Sequence, residues 1–419
     1  MFNGAQAAHT YPILQTDTHA PYRDLFGLVG PVYLPMACLS FTWSSIVPAF
    51  PAYLSGLGAG VVTIGLAMSM RGIGQLASDL PGGVIMARFG LRRVVIVSYV
   101  ASILLNLALA FTASVATITV LLFASGLFSS VLVTGIMTLI RITIDASLRG
   151  RALAFAGGAL RVGMLLGPPL GGLIADRLGM AQVFALRGIA LAVGLISFAA
   201  TVPAHEQLTA QRRPLFASLQ ALRHGLHDRM KALLTIGFAI LVLSLLRTAR
   251  EIVLPLWGER IGLGATGIGL AIGVGAAFDL ASFVPAGVIA DRYGRKVSTS
   301  LCIGLFSLGL LLLLPAEGVW GFVIAGAVVG LGNGFGAGIN MTTGTDLAPN
   351  GAVAEFIGLW RLYGDLGGAL GPVAVGALAA GLSLPLAVLC VGVIGWSGFA
   401  VMAFWAPESR DIALGDRRD

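Results

Sequence analysis

The sequence predicts an all-α membrane protein with twelve spanning helices arranged as two related six-helix bundles. Three observations predict it. Of the 419 residues, 57% are hydrophobic and 11% charged, whereas a soluble domain carries roughly 25% charged residues; so few charges cannot cover a soluble surface. Twelve stretches approach the roughly 20 apolar residues that cross a bilayer. Short phrases also recur at one fixed offset: GVIMARFGLR at 83–92 and GVIADRYGRK at 287–296 lie 204 positions apart.

Taken in order, residues 1–26 form a polar tail with Asp17, Arg23 and Asp24, lacking the apolar core of a signal peptide. The first bundle covers 27–202, with expected spans 28–50, 61–84, 94–112, 116–141, 152–175 and 183–202. The connections 51–60 and 112–116 carry no charge. Arg88, Arg92 and Arg93 follow span two, and Arg149 and Arg151 follow span four. Asp176, Arg177 and Arg187 are assigned to the loop between spans five and six. A polar central loop, 203–231, holds Arg212, Arg213, Arg223, Arg229 and Lys231. The second bundle covers 232–405, with spans 232–256, 266–289, 298–315, 319–342, 353–378 and 384–405. Glu259 and Arg260 follow its first span; Arg292, Arg295 and Lys296 follow its second. Residues 406–419 form a second tail. Lysine and arginine therefore crowd alternate loops, which places those loops and both termini on the cytoplasmic side of the inner membrane. The net charge of +7 belongs to these loops and is no sign of nucleic-acid binding.

Other chemistries find little support. Cys38, Cys302 and Cys390 each sit singly in an apolar run, with no metal-binding spacing. All five histidines (His9, His19, His205, His224 and His227) lie in the first tail or the central loop, away from any intramembrane relay. No phosphate-binding GxxxxGK[ST] loop is present. No enzyme activity, cofactor or metal site is expected.

The 204-residue offset recurs elsewhere. Ile64-Gly65-Leu66-Ala67 matches Ile268-Gly269-Leu270-Ala271, and Gly167-Pro168 matches Gly371-Pro372. Two bundles repeated in parallel orientation are a common transporter plan, with the binding site between them at mid-membrane. These residues resemble the major facilitator superfamily. GVIADRYGRK, with Gly287, Asp291, Arg292, Gly294, Arg295 and Lys296, is similar to that family's signature loop after the eighth helix. GVIMARFGLR, with Gly83, Arg88, Gly90 and Arg92, is a reduced copy after the second, where Ala87 replaces the usual aspartate and Leu91 a usual cation. In span five, Gly163, Gly167, Pro168, Gly171 and Gly172 resemble a motif of proton-coupled antiporters. The arginine that many drug antiporters carry in the middle of span four is missing; Ser125 and Gly126 open that region. In the loop copies the glycines are expected to allow tight turns and close packing, and Asp291 to latch one conformation; Ala87 cannot.

Ionisable residues inside spans are costly and mark function or a specific pair. Depth along the helices, together with the arrangement the resemblance implies, pairs Arg161 with Asp279 and Arg71 with Asp365. Asp79 and Arg361 form a third pair, in competition with an intrahelical Arg361–Asp365 pair. In span seven, Arg247, Arg250 and Glu251 share one face; they either line the cavity or neutralise one another. Glu251, Asp279 and Asp365 are the candidate proton carriers. Phe41, Trp43, Met137, Asn333 and Asn340 are further cavity candidates, and Pro48, Pro51 and Pro255 are candidate bends.

The resemblance implies a monomeric secondary transporter in the lipid bilayer, moving a small molecule by alternating access on a proton gradient. Export is the first expectation and uptake of a small organic anion the second. A receptor or scaffold with a transporter fold is the alternative of another class.

Overall fold

The computed structural model describes residues 25–145, 148–203, 229–336, 338–349, 353–409 and 411. All regular elements among them are helical. In chain order the α-helices are α1 (Leu34–Ser44), α2 (Phe50–Gly56), α3 (Val61–Phe89), α4 (Leu91–Ala110), α5 (Val115–Thr143), α6 (Arg149–Leu178), α7 (Met180–Thr201), α8 (Met230–Arg260), α9 (Ala265–Tyr293), α10 (Arg295–Leu311), α11 (Val319–Phe335), α12 (Ile339–Leu347), α13 (Val353–Gly381) and α14 (Leu384–Ala400). Among the described residues, ten helical stretches are long and apolar enough to cross a membrane. Two helices at positions of expected spans fall outside that set. α10 has 17 residues, and α3 carries Arg71, Gln75 and Asp79 along its length. The histidines, most of the central loop and the Ala87 side chain lie outside the described residues.

Two expected spans are interrupted. The chain leaves the α-helix at Ser45–Ala49, between α1 and α2, around Pro48, which has no N–H to continue the ladder. The stretch 319–342 breaks between α11 and α12, where Gly338 takes φ +71°. α8, by contrast, runs through Pro255. Arg187 is not in a loop: it lies inside α7, 2% exposed, and its Nε donates to the Thr42 carbonyl at 2.7 Å.

The second glycine of each loop phrase makes the turn. Gly90 (φ 88°) joins α3 to α4, and Gly294 (φ 94°) joins α9 to α10, conformations that side chains resist. The first glycines do not serve close packing as expected, because a Cβ at Gly83 or Gly287 would meet open space.

Within the first half α1 packs on α6 and α7, α3 on α5, and α4 on α5 and α7. Within the second half α8 packs on α13, α9 on α11, and α10 on α11 and α14. The halves meet along two seams, α6 with α9 and α3 with α13. Glycine allows the close contacts. A Cβ at Gly163, Gly167 or Gly171 would run into Ser40, Ser44 or Ser45 of the first span, so the span-five motif is a packing surface for α1. Across the seams, Gly269 sits against the Pro168 carbonyl and Gly65 against the Pro372 carbonyl. These two contacts are the same one, made twice at the 204 offset. Asp176 further ties the α6–α9 seam at the face opposite the charged loops: its oxygens accept from the backbone N–H of Ala265 at 3.1 Å and of Thr266 at 2.7 Å.

Candidate functional site: a divided cavity between the halves

A cavity of about 210 Å³ lies between the halves, walled by Leu39, Val133, Leu160, Met164, Ile272 and Val329. Ser40, Ser44, Ser129, Arg250 and Asp279 supply polar groups to it. A second chamber of about 200 Å³ is lined by Gln75, Ser244, Arg247, Thr248 and Asp365. Trp43, Arg71 and Glu251 border both chambers. They form a partition: Trp43 Nε1 donates to Glu251 Oε2 at 3.0 Å, and the Arg71 guanidinium lies 4.1 Å from the Trp43 ring centre. Trp43 and Arg71 come from the first half and Glu251 from the second, so the partition itself spans the halves.

The α6–α9 seam carries a continuous polar chain. Arg161 Nε lies 3.1 Å from Asp279 Oδ1. Asn333 Nδ2 donates to Asp279 Oδ2 at 2.5 Å, and Arg247 Nε donates to Asn333 Oδ1 at 2.8 Å. Arg247 also donates through a terminal nitrogen to the Gly336 carbonyl at 3.2 Å, at the break after α11, where a helix end leaves carbonyls without intrahelical donors. Asp279 is 3% exposed and has an acceptor interaction on each oxygen.

The α3–α13 seam is built differently. Arg361 donates to Asp79 Oδ1 at 2.9 Å, and Ser130 Oγ donates to the same oxygen. Asp365 on the facing helix lies close enough to Asp79 for the two carboxylates to interact electrostatically. The Oδ2 atoms of Asp79 and Asp365 are both buried without a donor. The expected Arg71–Asp365 ion pair is not formed. Both border the second chamber, but the Arg71 guanidinium rests on Trp43.

The span-seven triplet does not neutralise itself. Arg247 turns to Asn333, Glu251 to Trp43, and Arg250 stands over the Phe306 ring at 5.6 Å. Among the cavity candidates, Trp43 lines both chambers, and Asn333 holds the polar chain behind them. Phe41, Met137 and Asn340 line neither. Phe41 backs onto the span-five glycines, Met137 packs in the first-half core, and Asn340 accepts from Trp360 Nε1 at 2.8 Å. At the charged loops Asp291, Arg88 and Arg292 are exposed, with Arg88 and Arg292 each over a neighbouring ring. Arg92 donates to the Val202 and Ala199 carbonyls at the end of α7.

Sequence reasoning missed Asp346 and Glu408. Arg295 Nε lies 2.8 Å from Asp346 Oδ2. The Glu408 carboxylate accepts from the backbone N–H groups of Arg295 and Lys296, each at 3.0 Å, at the positive N-terminus of α10. The serines of the cavity were missed too. The repeat held a signal for Ser129: Arg161, Asp279, Asn333 and Arg247 correspond at the 204 offset to Asp365, Gln75, Ser129 and Trp43. Gln75 Nε2 donates to Ser129 Oγ at 3.3 Å, the counterpart of the Asn333–Asp279 bond.

The fold recurs among known proteins. At 24% identity, 82% of the chain matches 66% of a synaptic vesicular amine transporter of Rattus norvegicus, just under two thirds of that protein. At 31% identity over 80 residues, 19% of the chain matches 20% of an uncharacterized transporter of Buchnera aphidicola. Among solved structures, a POT family transporter in complex with 5-aminolevulinic acid superposes with TM-score 0.74 at 15% identity, covering 92% of this chain and 96% of that one. A D-xylose-proton symporter superposes with TM-score 0.73 at 17% identity, covering 92% and 98%. The family model of the Major Facilitator Superfamily matches residues 32–249 and 236–419. The chain therefore belongs to the major facilitator superfamily, as a multi-pass membrane protein.

Proposed function

We propose that this transporter is proton-coupled and exports a small organic molecule from the cytoplasm by alternating access. The observation that carries the reading is the set of buried carboxylates between the halves: Glu251, Asp279 and Asp365 line the divided cavity, and Asp365 interacts with Asp79 of the first half. Glu251 bridges the halves through Trp43, so protonating it weakens a contact between the halves. A proton shared by Asp79 and Asp365 supplies both orphaned oxygens, and its loss sets two carboxylates against each other. Asp279 is the weaker carrier, since a proton there displaces a donor already in place. The span-five glycine–proline run and the apolar wall support export. The free guanidiniums of Arg71 and Arg250 favour a second reading, proton-coupled uptake of a small organic anion. The charged loops and both tails face the cytoplasm in either case, and the protein works as a monomer in the inner membrane.

Flux in proteoliposomes under an imposed pH gradient tests this reading, using a panel of organic acids, amines and sugars. Flux driven against the proton gradient supports export, and flux along it supports uptake. A folded protein that moves no compound under either gradient is a receptor or scaffold.

A further inference from the structure

The arginines of the membrane interior divide into two groups. Arg161, Arg187, Arg247 and Arg361 each donate to a carboxylate, an amide oxygen or a backbone carbonyl. Arg71 and Arg250 do not. Among the described residues neither makes a hydrogen bond or an ion pair; each guanidinium rests only on a ring, Trp43 at 4.1 Å and Phe306 at 5.6 Å. A ring face attracts the cation but leaves the fork of N–H donors empty. Both side chains line the apolar chamber.

The chamber has no protein anion to spare for them. Asp279 is held by Arg161 and Asn333. Glu251 lies within electrostatic reach of both arginines, but its Oε2 accepts from Trp43. Asp279 also attracts Arg250, so with Arg161 three guanidiniums share two carboxylates, Asp279 and Glu251, in surroundings where an uncompensated charge is costly. A planar anion with two oxygens fits the empty donors. An amine placed there meets two like charges, and repulsion of this kind enforces specificity. The rest of the wall is mainly aliphatic, with Trp43 and the hydroxyls of Ser40, Ser44 and Ser129, so the anion needs a largely apolar body.

We propose that the apolar chamber binds a compact amphipathic organic anion, its charged group facing Arg71 and Arg250 and its body against Leu39, Val133, Leu160, Met164 and Ile272. This deepens the transporter reading and rests on it, but holds for either direction. Arg71 comes from the first half and Arg250 from the second, so the ligand joins the two halves through its charge.

The test is equilibrium binding to the full-length protein in nanodiscs, read by calorimetry, with three ligands sharing one ring: benzoate, benzylamine and benzyl alcohol. Benzenesulfonate and phenylphosphonate distinguish a carboxylate site from a general anion site. Benzoate or one of the other anions should bind at least about tenfold more tightly than the amine and the alcohol. Arg71→Gln and Arg250→Gln should each weaken that binding by about tenfold or more, while Arg177→Gln on the exposed end of α6 leaves it unchanged. Size-exclusion and melting profiles show that each variant is folded; Arg250→Lys, which keeps the charge, should retain part of the affinity. Tighter binding of benzylamine, unchanged anion affinity in both glutamine variants, or no binding of any of the three anions at millimolar concentration overturns the proposal. Flux of some other compound alongside such a failure leaves the transporter reading intact. Anion binding without any flux does the reverse.

Discussion

A guanidinium inside a membrane helix needs an acceptor, a ring or water, and the arginines here differ in which they find. Depth along the helices, together with the facing arrangement the resemblance implied, brought Arg161 to Asp279, because two opposite charges at matching depth on facing helices have few other partners. It failed for Arg71, because an aromatic ring is also a partner and Trp43 carries no charge to count. It failed for Arg187 because the residue was assigned to a loop, whereas its target is a backbone carbonyl, which every residue carries and no sequence pattern marks. Two outcomes follow. Arg161→Ala strands the Asp279 carboxylate, and breaking a buried pair in this way costs about 3–5 kcal/mol; denaturation in detergent should show the loss, with partial recovery in Arg161→Ala/Asp279→Ala. Glu251→Gln keeps an oxygen for Trp43 but cannot release a proton, so it should abolish flux driven by a pH gradient; it also removes a carboxylate that attracts Arg71 and Arg250, so the melting temperature should fall. Retained coupling removes Glu251 as a carrier.

Helices were legible mainly through their apolar length, and breaks and close contacts much less so. The apolar run 319–342 gives no warning that the chain breaks around Gly336 and Gly338, since glycines also occur where helices only touch. The two uses separate in the structure and predict opposite effects. Gly171 lies against the Ser45 backbone, so Gly171→Ala should force α6 from α1 and cost about 1–3 kcal/mol, as overpacking does. Gly83 lies inside α3 with open space around it, so Gly83→Ala should stabilise by about 0.5–1 kcal/mol through helix propensity. Equal effects on thermal stability would mean that these contacts do not discriminate. Asp176 works at the same scale. Its carboxylate holds the first N–H groups of α9, and Asp176→Ala should cost about 1 kcal/mol and raise cysteine accessibility on that face of the α6–α9 seam.

For the whole molecule, the repeat was the most informative part of the sequence. One offset ordered the two halves, matched the Gly65–Pro372 contact to Gly269–Pro168, and aligned Arg161 with Asp365. It did not reveal how differently the aligned positions act: one seam holds a satisfied polar chain, the other two neighbouring carboxylates of which only Asp79 is paired with an arginine. The tight glycine contacts across the seams and the Asp176 cap gather at the ends of α3, α6, α9 and α13 away from the charged loops, so the structure holds the halves together on that face. On the proposed alternating-access reading, that face parts while the loop face closes, about the Trp43–Glu251 partition. Spin-label distance measurements test this most directly, with native cysteines replaced and labels at Leu178→Cys with Arg260→Cys on one face, and Arg151→Cys with Tyr293→Cys on the other. Acidification with a transported ligand should shift the two distances in opposite directions, and Glu251→Gln should hold them in one state. Distances that stay fixed, or move in the same direction, under every combination of pH and ligand would contradict the account.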